Sequence, residues 1–319
     1  MSFSILGTGR GIPRQVMSND DLTQIVDTSD EWIRTRSGIQ ERKICTDESI
    51  SDLCAMAAKN ALENAGVDPG ELDLIICSTI RGEYISPAQA CVIQKEIGAH
   101  CPAFDVNAAC SGFIYALDIA AGYFARGRVK KVLVVSMDNM TNNIDWNDRS
   151  TCVLFGDGGG AVVLGEGDDL LSIEITTKGN TDYIVIPRGE NSSPFYKNGS
   201  QRPVLYMNGR EVYKFAVNAM TNVLTKVMEE AGVTGETIDY VIPHQANIRI
   251  IDTAQSRLGI PKEKIICDIA SYGNTSSGSI PIALDELNRE GKLRPGQTIA
   301  LAAFGGGLTT GGCVLRWSK

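Results

Sequence analysis

Four short, almost wholly apolar runs, at 74–78, 132–136, 241–243 and 299–303, alternate with four longer segments, at 50–64, 111–126, 211–230 and 280–290. In the long segments apolar residues return every three or four positions, which predicts helices with one buried face. The short runs have no polar alternation and predict strands covered on both sides. Strands alternating with helices in this way give an α/β fold, sheets sandwiched between helical layers.

The pattern occurs twice. Ala65-Gly66-Val67, followed by Asp73 and a run ending at Ile76, recurs as Ala231-Gly232-Val233, Asp239 and Ile242, a displacement of 166 residues. Ser111-Gly112 with Ala116-Leu117-Asp118 returns as Ser277-Gly278 with Ala283-Leu284-Asp285. Each copy closes on glycines before an apolar run, Phe155-Gly156-Asp157-Gly158 in the first and Phe304-Gly305-Gly306-Gly307 in the second. Blocks that keep their order at a nearly constant displacement predict a duplicated fold with halves at 1–170 and 171–319. The segment 181–208, rich in Asn, Ser, Gly and Pro, has no repeat partner and is either a wall of a binding site or a surface loop.

Charge and composition narrow the function. The 319 residues carry 30 Lys and Arg against 38 Asp and Glu, a net charge of -8, which opposes binding to a phosphate backbone and excludes nucleic acid as the expected partner. No apolar run is long enough to span a membrane, and the first residues lack a basic stretch before an apolar one, so membrane insertion is not expected and a cytoplasmic protein is. The nine cysteines contain no C-x-x-C pair and only two histidines exist, His100 and His244. Reduced thiols and no metal site are the expectation.

Three polar residues stand at matching places. Cys110, in Asn107-Ala108-Ala109-Cys110-Ser111-Gly112, follows a predicted strand and is expected to open a helix, where unpaired N–H groups and the helix dipole lower a thiol pKa. His244 follows the strand 240–243, and strand ends collect reactive groups in α/β sheets. Asn274, in Gly273-Asn274-Thr275-Ser276, holds nearly the place in the second half that Cys110 holds in the first. The glycines at 305–307 lack the Lys-Ser/Thr pair of a phosphate loop. They are read instead as backbone N–H groups near a reacting carbonyl, with Gly306 as the donor.

At these motifs, with Pro243-His244-Gln245-Ala246-Asn247 and Trp32-Ile33-Arg34-Thr35-Arg36-Ser37-Gly38-Ile39, the chain resembles β-ketoacyl-acyl-carrier-protein synthase III along its whole length. Ser37 stands where that family usually has Thr. The resemblance implies the thiolase-like, five-layer α/β/α/β/α fold, a homodimer, and a catalytic set of Cys110, His244 and Asn274. It implies that Cys110 takes an acyl group from coenzyme A, with the Cys110 and Gly306 N–H groups holding the oxyanion. His244 and Asn274 then stabilise the enolate left when malonyl-acyl carrier protein loses carbon dioxide. Acyl-CoA and malonyl carrier protein are substrates, so no cofactor is implied.

The same resemblance assigns Trp32, Arg36, Arg149 and Asn247 to coenzyme A, although Trp32 also reads as a buried anchor of its loop. Lys214, Arg249 and Arg257 match carrier-protein docking positions; their plain reading is solvated charge on amphipathic helices. Ile85, Ser86 and Phe155 match the acyl pocket, with 84–87 crossing the dimer interface. Ser86 replaces a frequent aromatic there, which leaves room for a longer or branched primer unless Ile85 or Tyr84 fills it. A Cys-His-Asn hydrolase fits poorly, because the internal repeat has no place in such a fold and the local cysteine signature of those proteases is absent from this chain. A condensing enzyme of polyketide metabolism is the alternative within the fold.

Overall fold

The structure is a computed structural model, and it describes residues 2–189, 193–195 and 201–319. The first half runs β1 (Ser2–Gly11), β2 (Gln15–Ser18), α1 (Asn19–Leu22), α2 (Asp30–Ser37), β3 (Glu41–Ile44), α3 (Ile50–Ala65), β4 (Leu74–Ser78), α4 (Gln89–Ile97), β5 (Ala103–Val106), α5 (Gly112–Ala125), β6 (Lys131–Asn139), α6 (Arg149–Cys152) and β7 (Asp157–Gly167). The second runs β8 (Leu170–Thr177), β9 (Ile184–Val185), β10 (Tyr206–Met207), α7 (Gly209–Glu230), β11 (Tyr240–Pro243), α8 (Ile248–Leu258), α9 (Ile269–Tyr272), α10 (Ser279–Arg289), β12 (Thr298–Gly305) and β13 (Thr309–Arg316).

Two sheets carry the fold. Their strand orders are β1-β7-β6-β4-β5 and β8-β13-β12-β11, the same sequence of relationships without the last strand. A single bridge from Val241 to Ile265 stands where the fifth strand of the second sheet would pair. In each sheet the crossover strands are parallel (β4 with β6, β11 with β12) and the closing hairpin is antiparallel (β6 with β7, β12 with β13).

Side-chain alternation along the strands builds the layers. On β4, Leu74 and Ile76 face one core while Ile75 and Cys77 face another; on β6, Val132 and Val134 oppose Leu133 and Val135 in the same way. Across the molecule Ile299 and Leu301 of β12 enter the first of these cores, and Ala300 and Ala302 a third. The shared core holds Phe113 and Leu117 of α5 with Ile280 and Leu284 of α10, so these two helices form a middle layer between the sheets. Helices α3 and α4 cover the outer face of one sheet, and α7 and α8 that of the other. This is the five-layer α/β/α/β/α thiolase-like fold, and the unbroken apolar strands follow from it, since each is covered on both faces.

The excursion between β2 and β3 supplies α2, which ends at Gly38 in a left-handed turn, φ 84°. A β-carbon there would lie 2.8 Å from that of Ile248, so only glycine lets the end of α2 rest on the start of α8. The hairpin is fixed from inside by Arg42, 1% exposed, which donates to Val153 O at 2.8 Å and Asn19 Oδ1 at 2.9 Å. Among the described residues no helix is long and apolar enough to cross a membrane, and all nine cysteines are free thiols.

Candidate active site

Cys110 sits where β5 gives way to the middle layer. A 3-10 turn, Ala109–Ser111, intervenes before α5, so the α-helix begins at Gly112 and not at the cysteine. Ala109 takes a left-handed backbone, φ 48°, to turn the thiol toward the cavity. The expected lowering of the thiol pKa does not occur: burial pushes it up to about 12. Withdrawing a thiolate from water, with the Asp138 charge nearby, outweighs the hydrogen bond from Ser276 and whatever one short turn contributes.

His244 directly follows β11, and its N–H bonds to Ala302 O at 2.7 Å, extending the ladder by one residue. The ring is 1% exposed, lies 5.4 Å from the Phe304 ring in an edge-on arrangement, and places Nδ1 2.8 Å from Ser279 Oγ. Ser279 Oγ also accepts the Gln245 N–H at 3.3 Å. With Nδ1 engaged by Ser279, Nε2 is the ring nitrogen left for the cavity, and it is a donor in the tautomer in which the Ser279 hydroxyl donates to Nδ1. Burial holds the His244 pKa down at about 3, so the ring is a neutral hydrogen-bond donor.

Asn274 is held by its backbone against the residues around Phe155: its N–H donates to Leu154 O at 2.9 Å, and its carbonyl accepts the Gly156 N–H at 3.1 Å. Its side-chain Oδ1 accepts the Ser276 N–H at 2.8 Å, which leaves the Nδ2 hydrogens as donors. The elements refine the expected symmetry. The turn that mirrors Ala109–Ser111 is Ser276–Gly278, so Asn274 lies just before the counterpart of Cys110.

Cys110, His244 and Asn274 line one cavity of about 1150 Å³, together with Phe155, Phe304 and Gly306. At Gly305 a β-carbon would stand 2.7 Å from the Cys110 nitrogen, so the end of β12 reaches the nucleophile's backbone only because that residue has no side chain. Part of segment 181–208 is a wall of the cavity: Ile184 and Val185 of β9 and Leu205 and Met207 line it. The remainder of that reading, at 190–192 and 196–200, lies outside the described residues.

The mouth is formed by α2 and α8. Trp32, Arg36, Asn247 and Arg249 all line it. The Arg36 guanidinium stands 4.6 Å from the Trp32 ring centre and that of Arg149 4.9 Å, so two cations meet one indole. Arg149 itself lies outside the lining and donates to Asp27 O at 2.8 Å. Asn247 caps α8, its Oδ1 accepting the Arg249 N–H at 2.9 Å. Lys214 borders a separate depression and pairs with Glu211 at 2.7 Å, while Arg257 donates to Asn218 at 2.8 Å. Arg249 is exposed and has no side-chain partner among the described residues. Ile85 and Ser86 do not line their own chain's cavity; Ile85 is 86% exposed, as a residue aimed away from its own core must be.

Several groups at the site were not singled out from sequence. Ser279 orients the imidazole, Ser276 places Oγ 3.5 Å from the Cys110 sulfur, and the buried Asp138 carboxylate sits behind both turns. A signal existed for one of them, because a displacement of 166 carries Cys110 onto Ser276.

Comparison with known proteins identifies the family. A family model described as 3-oxoacyl-[acyl-carrier-protein] synthase III matches residues 104–179, and the C-terminal model of the same name matches 228–317. A β-ketoacyl-[acyl-carrier-protein] synthase III of Clostridium acetobutylicum is 45% identical, covering 100% of this chain and 99% of that protein. The crystal structure of the 3-oxoacyl-[acyl-carrier-protein] synthase III from Aquifex aeolicus is 46% identical and superposes with a TM-score of 0.92 over 99% of this chain and 100% of that one. The priming β-ketosynthase of the R1128 polyketide pathway is similar in shape at 37% identity, TM-score 0.92, covering 100% of this chain and 97% of that one. Identity above 40% along both full lengths, on a site assembled from both halves, settles the relationship: the chain belongs to the 3-oxoacyl-[acyl-carrier-protein] synthase III family and is a condensing acyltransferase of fatty acid synthesis.

Proposed function

We propose that Cys110 accepts the acyl group of an acyl-CoA primer as a thioester, and that His244 and Asn274 then drive the decarboxylation of malonyl-acyl carrier protein on the same cavity. The carrying observation is that one cavity is lined by a thiol from the first half and by a neutral imidazole and a carboxamide from the second. In the charging step the sulfur attacks the thioester carbonyl, the Cys110 and Gly306 N–H groups take the oxyanion, and coenzyme A leaves as its thiol. In the second step the malonyl thioester carbonyl replaces it between His244 Nε2 and Asn274 Nδ2. Loss of carbon dioxide leaves an enolate, which those donors stabilise until its carbon attacks the acyl-cysteine carbonyl; the carbon–sulfur bond to Cys110 then breaks, β-ketoacyl carrier protein is released and the sulfur takes up a proton. A donor that carries its proton on the substrate side, and is too weak an acid to lose it to an enolate, suits this role.

The adenine end of the coenzyme is placed at Trp32 and Arg149, its phosphates near Arg36 and its pantetheine past Asn247. The acidic carrier protein docks against Arg249, with Lys214 and Arg257 on the adjoining helix faces. Two copies of the chain pair through the open edge of β5, which brings Ile85 and Ser86 of each onto the other's acyl pocket. With Ser86 in place of a bulky aromatic, that pocket takes primers longer or more branched than acetyl. The reaction belongs in the cytoplasm and needs no cofactor.

The test supplies labelled acyl-CoA with either malonyl carrier protein or malonyl-CoA. The expected products are β-ketoacyl carrier protein, carbon dioxide and free coenzyme A, formed far faster from the carrier-bound malonyl group. Release of the labelled acyl group as a free acid would identify a hydrolase and contradict the proposal.

A further inference from the structure

The proposed roles use His244 as a donor and leave the Cys110 sulfur without a partner as its negative charge develops. The His244 Nδ1 is engaged by Ser279 Oγ, and burial, which holds the imidazole pKa down at about 3, makes the ring a poor acceptor for the thiol proton. Among the described residues, the one side chain hydrogen-bonded to the sulfur is Ser276, whose hydroxyl lies 3.5 Å from it.

Ser276 reaches that place through an unfavourable backbone, φ 54°. Three non-glycine residues adopt positive φ among the described residues, and two of them adjoin the thiol: Ala109 precedes Cys110 and Ser276 touches it, while the third, Leu308, follows Gly307. Strain of this kind persists only where the surroundings enforce it. Here the enforcement is visible. Asp138, 2% exposed, receives the Ile80 N–H at 2.7 Å and the Thr79 hydroxyl at 3.1 Å on Oδ1, and on Oδ2 the Ser277 hydroxyl at 2.8 Å and the Ser277 N–H at 3.4 Å. The carboxylate therefore ties the end of β6 to the turn that carries Ser276.

We infer that Ser276 is a further catalytic residue for the charging of Cys110, its hydroxyl donating to the sulfur while the bond to coenzyme A is exchanged for the bond to the enzyme. In that exchange the sulfur–carbon bond to Cys110 forms, the one to coenzyme A breaks, and the thiol proton leaves with coenzyme A. The Ser276 hydrogen stays on serine throughout. The inference rests on the proposed function, and it separates the two half-reactions: Ser276 serves charging, and His244 with Asn274 serve decarboxylation. The ionisable groups facing the sulfur are Asp138, which opposes its ionisation, and the neutral His244; the hydroxyl acts against both burial and Asp138.

Two substitutions isolate the hydroxyl from the backbone. Ser276→Ala removes the hydroxyl and keeps the strain, whereas Ser276→Gly removes the hydroxyl and relieves it. Both are expected to move the pH profile of Cys110 alkylation by iodoacetamide upward by about one unit and to slow acyl transfer from acyl-CoA by roughly a hundredfold. Discharge of the purified acyl-enzyme should slow as well, because the Cys110 sulfur then leaves with the same developing charge, while carbon dioxide release from malonyl carrier protein by the uncharged enzyme should remain close to the parent rate in both. If Ser276→Gly charges at the parent rate with an unshifted profile, the residue serves only the turn and the inference is overturned. If the unsubstituted enzyme itself takes no acyl group on Cys110, the proposed function fails instead.

Discussion

The Nδ1 of His244 lies 2.8 Å from the Oγ of Ser279, the first residue of α10, inside a pocket that leaves the imidazole 1% exposed. With its pKa near 3 the ring is neutral at every pH the enzyme meets, and in the proposed role its hydrogen is directed at the cavity from Nε2. Replacing His244 by Ala should cost decarboxylation roughly a hundredfold or more, the typical loss for one donor to a developing oxyanion, and should leave Cys110 charging much less affected. Separate rates for the two half-reactions check this, and equal losses in both would contradict it.

The same depressed pKa has a consequence for stability. Between pH 6.5 and about 3 an unfolded histidine takes a proton that the folded one refuses, so this residue's contribution falls as pH falls through that window. Asp268 behaves in the opposite sense. Burial, with the Glu286 charge second, raises its pKa to about 8, and its Oδ2 has no hydrogen-bond partner in the structure. An unfolded aspartate loses its proton near pH 3.8 while the folded one retains it, so the folded state becomes progressively less stable from pH 3.8 to about 8. Asp268→Asn should raise the melting temperature at pH 8, and the gain should vanish by pH 4. A gain independent of pH would show that Asp268 is ionised in the folded protein.

Cys110 should be a protonated thiol in the resting enzyme. Its alkylation rate is expected to keep climbing with pH beyond 9, because burial holds the pKa near 12. A plateau between pH 6 and 8 would mean that the turn and helix lower the pKa as the sequence suggests, and that burial does not govern it.

Gly305 tests how closely the two halves must approach. A methyl group at this position would press on the Cys110 nitrogen at 2.7 Å and on the Ala109 β-carbon at 3.1 Å, both part of the turn that aims the thiol. Gly305→Ala is expected to slow charging by about a hundredfold, since a displacement on the order of 1 Å at the reacting atoms has that effect. The fold should survive, with far-ultraviolet circular dichroism unchanged. Near-parent charging would show that the approach is not needed.

What the sequence makes legible, and what it does not, follows from the kind of physics involved. The four unbroken apolar runs and the four long amphipathic segments match strands and helices of the structure to within a residue or two at most ends, because both faces of strands such as β4 and β12 meet a core. The pairing of Cys110 with a site in the second half follows from the repeat. The thiol and imidazole pKa values do not, since desolvation depends on residues far apart in sequence that close over the site. Nor do the positions of Ser279, Asp138 and Arg42, whose partners lie 35, 139 and 111 residues away. Lys214 and Arg257 share a basic pattern with Arg249, yet pattern alone does not reveal that the first two are engaged by Glu211 and Asn218.

The division of labour between the halves is tested most directly by intact mass. The enzyme is first incubated with acyl-CoA, then with malonyl carrier protein, in the parent and in His244→Ala. Both proteins should gain one acyl group, lost on Cys110→Ala; the parent should return to its original mass as carbon dioxide is released, and His244→Ala should remain acylated. An adduct on another residue, or rapid discharge in the absence of His244, would contradict the account.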